Sequence, residues 1–161
     1  MTYHIRVKAG ALIIRNDAVL LVEFQKEEKG VHYNLPGGGV ETDETIRDTV
    51  RREAWEEASA KVEVGPLAFV YEYSPAVNEY RYGATPSLAL YFDCTLRDGS
   101  IPKYPAVPDP NQTGVKWIPL ADLDQIVLYP NIKEHILDYV MSKRSIELIE
   151  ELQLKEYSRN M

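Results

Sequence analysis

Between Gly37 and Ala60 the chain passes from three consecutive glycines, through an acidic stretch, into a run with helical spacing. Few structures satisfy all three demands at once. Thr45 is a good helix N-cap, and Asp48 three residues on completes a variant of the capping box. From Ile46 the pattern is helical: Ile46, Val50, Ala54 and Ala58 recur every four residues and form one apolar stripe. The same helix sets Glu53, Glu56 and Glu57 at i, i+3 and i+4, so their carboxylates project from one face. At roughly 100° per residue, Glu57 falls close in angle to Ile46 and Val50, at the edge of the core stripe. A carboxylate there is costly unless it is paired or bound to a cation. Three clustered acids also repel one another. A hard divalent cation relieves both problems, and carboxylate oxygens are the ligands that Mg²⁺ or Mn²⁺ prefers. An acidic helix face alone is ordinarily a solvated face. The glycine entry, the Arg52-Glu53 pair and the position of Glu57 point instead to a metal site.

Gly38, Glu44, Arg52, Glu53, Glu56 and Glu57 stand in the order G-x5-E-x7-R-E-U-x-E-E-x-G-U, where U is aliphatic. This spacing resembles the Nudix box, the signature of MutT-like hydrolases that cleave a nucleoside diphosphate linked to another group. Ser59 replaces the usual second glycine. That glycine would suit a left-handed helix cap, so a serine there implies strain of roughly 1 kcal/mol or a different helix end. The resemblance implies a three-layer α-β-α sandwich, an α/β (α+β) fold with a mixed sheet and the box helix laid against it. It also implies roles. Glu56 and Glu57 are metal ligands, with Glu53 as a ligand or as the base through a bound water. The carbonyl of Gly37 joins the metal shell, Arg52 orients the acids, and Glu44 supports them or the water. Trp117, Leu120 and Leu123 resemble a Trp-x-x-Leu-x-x-Leu segment common near the end of such domains. An acid from a loop before that tryptophan often completes the metal shell. Asp109 is the nearest upstream, Gln112 occupies the place itself, and Glu72, Glu79, Asp93 and Asp98 are further candidates.

The composition bounds the partners. Apolar residues make up 45% and charged residues 27%, which suits a soluble globular chain. A net charge of −7 argues against nucleic acid as a partner. A small phosphorylated substrate remains compatible, because a bound cation reverses the local field. The lone Cys94 allows neither an intrachain disulfide nor a cysteine-rich zinc site, and it falls in step with Leu88, Leu90 and Phe92 as a core residue. No signal peptide or membrane-spanning run is visible, so the expectation is a cytoplasmic protein without membrane contact.

Strands are expected over Ile5–Arg15, Ala18–Phe24 and Val31–Leu35, with Asn16-Asp17 as the first turn. Val62–Val64 reads as a strand broken by Gly65-Pro66, followed by a second over Leu67–Ser74. Ser87–Leu96 and Val115–Ile118 complete the strands. Helices are expected over Asn131–Ser142 and Ser145–Tyr157, within one domain spanning residues 1–161. Gly38 and Gly39 are candidates for close approach to substrate, since glycine admits both tight contact and positive φ. In the loop from Pro75 to Pro86, Arg81 and Tyr82 are candidates to hold a phosphate and stack a base. Trp55 points off the apolar stripe, toward another element of the chain or a second copy of it as a homodimer. His32, shortly before the glycines, is a candidate to face the site, whereas His4 and His135 lack ligand spacing.

The resemblance makes a nucleotide the small-molecule substrate, with ADP-ribose-like compounds ahead of nucleoside triphosphates. A proline near the place of Pro75, fifteen residues past Ala60, accompanies ADP-ribose hydrolysis in the family. Pro75 also simply ends a strand. The alternatives are a Nudix-like module that senses a nucleotide without cleaving it, and a structural domain.

Overall fold

The computed structural model describes residues 4–146. A mixed sheet is built from β1 (Arg6–Arg15), β2 (Ala18–Lys26), β3 (Gly30–Asn34), β4 (Gly37–Gly39), β5 (Val62–Tyr73), β6 (Ser87–Leu96) and β7 (Gln112–Pro119). Its spine runs in the order β3-β2-β1-β6-β5, with β4 paired to β1 and β7 to β2. β1 and β6 are parallel from Arg6↔Ser87 to Ile13↔Cys94, and the other pairs are antiparallel. β1 turns back into β2 through Asn16 and Asp17, both at positive φ, as a tight hairpin with the strands' own twist requires.

Alternation along β1 decides which layer each residue meets. Ala9, Ala11 and Ile13 face α1 (Ile46–Ala58) and pack with Val50, Ala54, Ala58, Phe92 and Cys94. Leu12 faces the opposite way, into a cluster with Leu21, Leu123, Ile136 and Tyr139. That second layer comes from a 3₁₀ turn at Leu120–Gln125 and from α2 (Lys133–Ser142). The sheet therefore buries both faces, and the three-layer sandwich follows from two apolar stripes on one alternating strand.

The capping box at Thr45 forms as expected: the Thr45 hydroxyl accepts from the Asp48 N–H, and the Asp48 carboxylate from the Thr45 N–H. Ser59 ends α1 in the left-handed region at φ 50° and ψ 31°. Four expectations change. Gly65-Pro66 does not break the strand, because β5 runs through it by shifting register between Val64 and Phe69. There Gly65 passes so near β6 that a Cβ would lie 2.5 Å from the Asp93 carbonyl oxygen. The glycines at 37–39 are themselves a strand on β1, and β7 begins earlier than expected, at Gln112. Ser145 and Ile146 are not helical, and Ile146 bridges to Leu67. The rest of the helix expected to Tyr157 lies outside the described residues. Among those residues, no helix is long and apolar enough to cross a membrane.

Candidate functional site

Strand β4 and helix α1 are pressed together, and this contact creates the site. A Cβ on Gly37 would sit 2.7 Å from the Ala9 carbonyl oxygen, and one on Gly38 would sit 2.6 Å from Cδ of Glu53. Neither glycine has positive φ. Their requirement is close approach, not an unusual backbone. The Gly37 N–H donates to Glu57 Oε1 at 2.8 Å, so the strand reads the helix carboxylate directly.

Glu57 is 4% exposed. Burial, its largest influence, pushes its carboxyl up to about 9 against the opposing Gly37 hydrogen bond, and the Glu53 and Asp109 charges add to the rise. The hydrogen bond works downward, and burial outweighs it. Burial also raises Glu53, against the pull of Arg52. The two carboxylates lie within hydrogen-bonding reach of each other.

Arg52 is the counterweight. Its Nε and Nη2 donate to the two oxygens of Glu44 at 3.0 and 2.7 Å, a forked pair. Its Nη1 donates to Glu53 at 2.8 Å and to Glu56 at 3.2 Å, and Nη2 also reaches the Gly39 carbonyl at 3.0 Å. Glu44 accepts in addition from the Thr49 hydroxyl at 2.7 Å and the Glu41 N–H at 2.9 Å. The Arg52 guanidinium, ahead of these other donors, draws the Glu44 carboxyl down to about 2. One guanidinium thereby ties the acidic turn, the helix face and the glycine strand together.

The arrangement suits an oxygen-seeking divalent cation in its donor chemistry. Glu57 is a buried acid with a single backbone donor to its carboxylate, a second acid beside it and a third, Glu56, one residue away on the helix. It is not a finished cage. Among the described residues, no group of three or more His, Cys, Asp or Glu side chains is drawn together around one point. Glu53 and Glu56 instead point to Arg52.

The expected residues fall into place unequally. Glu44, Arg52, Glu53, Glu56, Glu57 and Gly37–Gly39 come together. Tyr82 lines a cleft that reaches the glycines, whereas Arg81 is exposed and outside the lining. Asp109 is near enough for its charge to act on Glu57. Gln112 is a tether: buried, it donates from Nε2 to the Glu57 carbonyl at 2.8 Å and accepts from the Asp109 N–H at 3.1 Å. Asp93 bonds the Tyr139 hydroxyl at 2.9 Å and so serves to dock α2. His32 is buried in a stack on Phe24, with its edge toward Tyr129. Pro75 lies two residues past the end of β5, and its carbonyl accepts from the Tyr80 N–H at 2.9 Å. Trp55 is 51% exposed, with the Lys61 ammonium 5.6 Å from its ring. Cys94 is a core residue whose thiol burial pushes up to about 12.

Sequence reasoning missed Arg6, Lys8, Asn34, Tyr71 and Tyr129, which line the same cleft. The spacing of Arg6 and Lys8, two cations on one face of β1, was the available signal.

A mixed sheet between helical layers, with a glycine strand against an acidic helix face, is the arrangement shared with solved NUDIX hydrolases. The NUDIX domain family model matches residues 4–140, and the chain belongs to that family. Members of that family are pyrophosphohydrolases acting on nucleoside diphosphate derivatives, and they generally use a divalent metal. A MutT-like protein of Streptomyces ambofaciens is 39% identical over 66 residues, covering 41% of this chain and 42% of that relative. The matched segment is therefore less than half of the relative's length. A NUDIX hydrolase from Nitrosomonas europaea superposes with TM-score 0.71 over 96% of this chain and 98% of its own, at 19% identity, a likeness of fold. An ADP-ribose pyrophosphatase from Streptococcus suis superposes with TM-score 0.62 at 25% identity, over 88% and 94% of the two chains.

Proposed function

We propose that the protein hydrolyses, with Mg²⁺ or Mn²⁺, the phosphoanhydride of a nucleoside diphosphate joined to a second group, with ADP-ribose-like compounds preferred over nucleoside triphosphates. The observation that carries this reading is Glu57: a buried carboxylate bonded to the Gly37 N–H, with Glu53 beside it. Burial keeps this carboxyl protonated in the metal-free chain, and a cation that displaces the proton would supply the charge partner the site lacks.

In this reading Glu57, Glu56 and the Gly37 carbonyl hold the cation, with Glu53 as a further ligand or as the base acting through a water. The cation, when bound, neutralises the phosphate oxygens and acidifies water. The protein's own groups do the rest. Arg52, held by Glu44, fixes Glu53 beside Gly38 and ties Glu56 to the same guanidinium. Gly38 and Gly39 let the diphosphate lie close to the backbone, and Tyr82 faces the remainder of the substrate. Water attacks phosphorus, the bond to the bridging oxygen breaks, and a carboxylate accepts the proton of the attacking water. The preference for ADP-ribose leans on the likeness to the Streptococcus suis enzyme and on the position of Pro75, fifteen residues past Ala60.

Product analysis tests it. With Mg²⁺, ADP-ribose should give AMP and ribose 5-phosphate, whereas a nucleoside triphosphate would give the monophosphate and pyrophosphate. A kcat/KM for ADP-ribose well below that for ordinary or oxidised nucleoside triphosphates rejects the substrate preference. Absence of metal-dependent hydrolysis of either class rejects the reading as a whole.

A further inference from the structure

The flank of α1 turned away from Glu53 and Glu56 carries a different surface. At roughly 100° per residue, Arg51 and Trp55 share that flank. A hollow of about 250 Å³ opens there, lined by Arg51, Trp55, Ala60, Lys61, Val62 and Arg97. Its floor is apolar, since Ala60 and Val62 are buried, while Trp55 stays half-exposed above them. The loop after β6 extends the same surface. The Arg97 N–H donates to the Lys61 carbonyl at 2.9 Å, the Ser100 hydroxyl accepts from the Lys61 N–H at 2.9 Å, and the Lys103 N–H donates to the Ala58 carbonyl at 2.9 Å. Between the last two anchors Ile101 is 77% exposed, and Pro102 stiffens the backbone beside it. Apolar side chains carried on fixed backbone lose little freedom when a partner covers them.

Charge supplies the second observation. Arg51, Lys61 and Arg97 rim the hollow in a chain of net charge −7. Arg51 pairs with Asp48 at 3.2 Å and Arg97 with Glu63 at 2.9 Å, and both pairs are exposed. Exposed pairs contribute little, so either guanidinium can exchange its carboxylate for another. Lys61 has no ion pair with any described residue, and its ammonium lies 5.6 Å from the centroid of the Trp55 ring. Tryptophan and arginine are the side chains that most often anchor protein interfaces. A second copy of the chain meeting this surface about a two-fold axis would set its cations against their own kind. The complement of the surface is acidic instead.

We propose that this surface docks an extended acidic segment of another protein, with one aromatic side chain of that segment against Trp55 and Ile101 and its carboxylates on Arg51, Lys61 and Arg97. The apolar anchor supplies the hold, and the cationic rim selects an acidic partner and rejects a basic one. The inference stands apart from the hydrolase reading, because the surface lies on the far flank of α1 from the carboxylate site.

Calorimetric titration of the full chain with blocked pentapeptides tests this. Three are compared: Glu-Glu-Phe-Glu-Glu, the same peptide with glycine in place of phenylalanine, and Lys-Lys-Phe-Lys-Lys. The first should bind about 10-fold or more tightly than either of the others, and its affinity should fall as salt rises. Trp55→Ala and Lys61→Glu should each weaken it by about 10-fold or more. Both positions are exposed, so the melting temperature and any Mg²⁺-dependent hydrolysis should stay unchanged in both variants. Lack of measurable binding of the acidic peptide overturns the proposal, and so does equal binding of the lysine peptide. Unaltered affinity in either folded variant also overturns it. Sedimentation across a range of protein concentrations should show no association through this surface. A dimer that Trp55→Ala dissociates would assign the surface to a second copy of the chain and overturn the acidic partner.

Discussion

At the scale of single residues, two carboxylates of the same site respond to acid in opposite ways. Glu57 has its ordinary value of 4.5 raised to about 9, chiefly by burial. The folded, metal-free chain then holds a proton that the unfolded chain has released, so stability is fully present below about 4.5 and is lost as pH rises toward 9. Glu44 is drawn from 4.5 to about 2 by Arg52, so its contribution is present above 4.5 and is lost as pH falls through that window. Thermal melts of the metal-free protein across pH should show Glu57→Gln flattening the alkaline decline, and Glu44→Gln flattening the acid one. A cation must displace the Glu57 proton, so calorimetric affinity for Mn²⁺ should rise with pH up to about 9. Glu57→Gln should cut turnover by at least about 100-fold at saturating Mg²⁺ while leaving the fold intact. Full activity in this variant, and separately in Glu56→Gln, removes both residues from the chemistry. Ser59 is a simpler case. Its left-handed conformation favours glycine, so Ser59→Gly should raise stability by up to about 1 kcal/mol with activity unchanged. A lower melting temperature would point to a contact of the hydroxyl instead.

At the scale of elements, Gly38 separates room from conformation. Its backbone is ordinary for any residue, and the obstacle to a side chain is the movable end of Glu53. Gly38→Ala should therefore cost little in melting temperature but lower kcat by about 10- to 100-fold, by displacing the carboxylate. Equal kcat in this variant would mean that Glu53 does not need its observed place. Elements with a pattern were legible from the sequence: the capping box at Thr45, the four-residue stripe of α1, and the alternation of β6. Elements without one were not. Three glycines have no faces, so β4 left no alternation to read. Gly65-Pro66 reads as a break because proline cannot serve a regular ladder, yet a register shift absorbs it. The start of β7 at Gln112 is hidden because its first residue serves as a tether to Glu57.

At the scale of the whole molecule, the carboxylate half of the site was legible because one helix carries it. The cleft was not, because its walls come from β1, the end of β3, β5, the loop that carries Tyr82, and Tyr129. No local spacing links them, and only the parallel pairing of β1 with β6 and the docking of the second layer bring them together. The folded chain should be stabilised by what it binds, in proportion to occupancy. Mg²⁺ or Mn²⁺ should raise the melting temperature, EDTA should reverse the rise, and Glu57→Gln should abolish most of it. An unchanged melting temperature at millimolar cation would argue against occupancy of the site in the free protein.

Arg52 carries a consequence for the life of the chain before it meets any metal. Small zinc domains must capture their ion in order to fold at all. Here a guanidinium already sits among Glu44, Glu53 and Glu56 and holds the glycine strand through the Gly39 carbonyl. Folding and loading would thereby be uncoupled: in the proposed reading the carboxylates already have a cationic partner, and the supply of cation would govern when the molecule works rather than whether it folds.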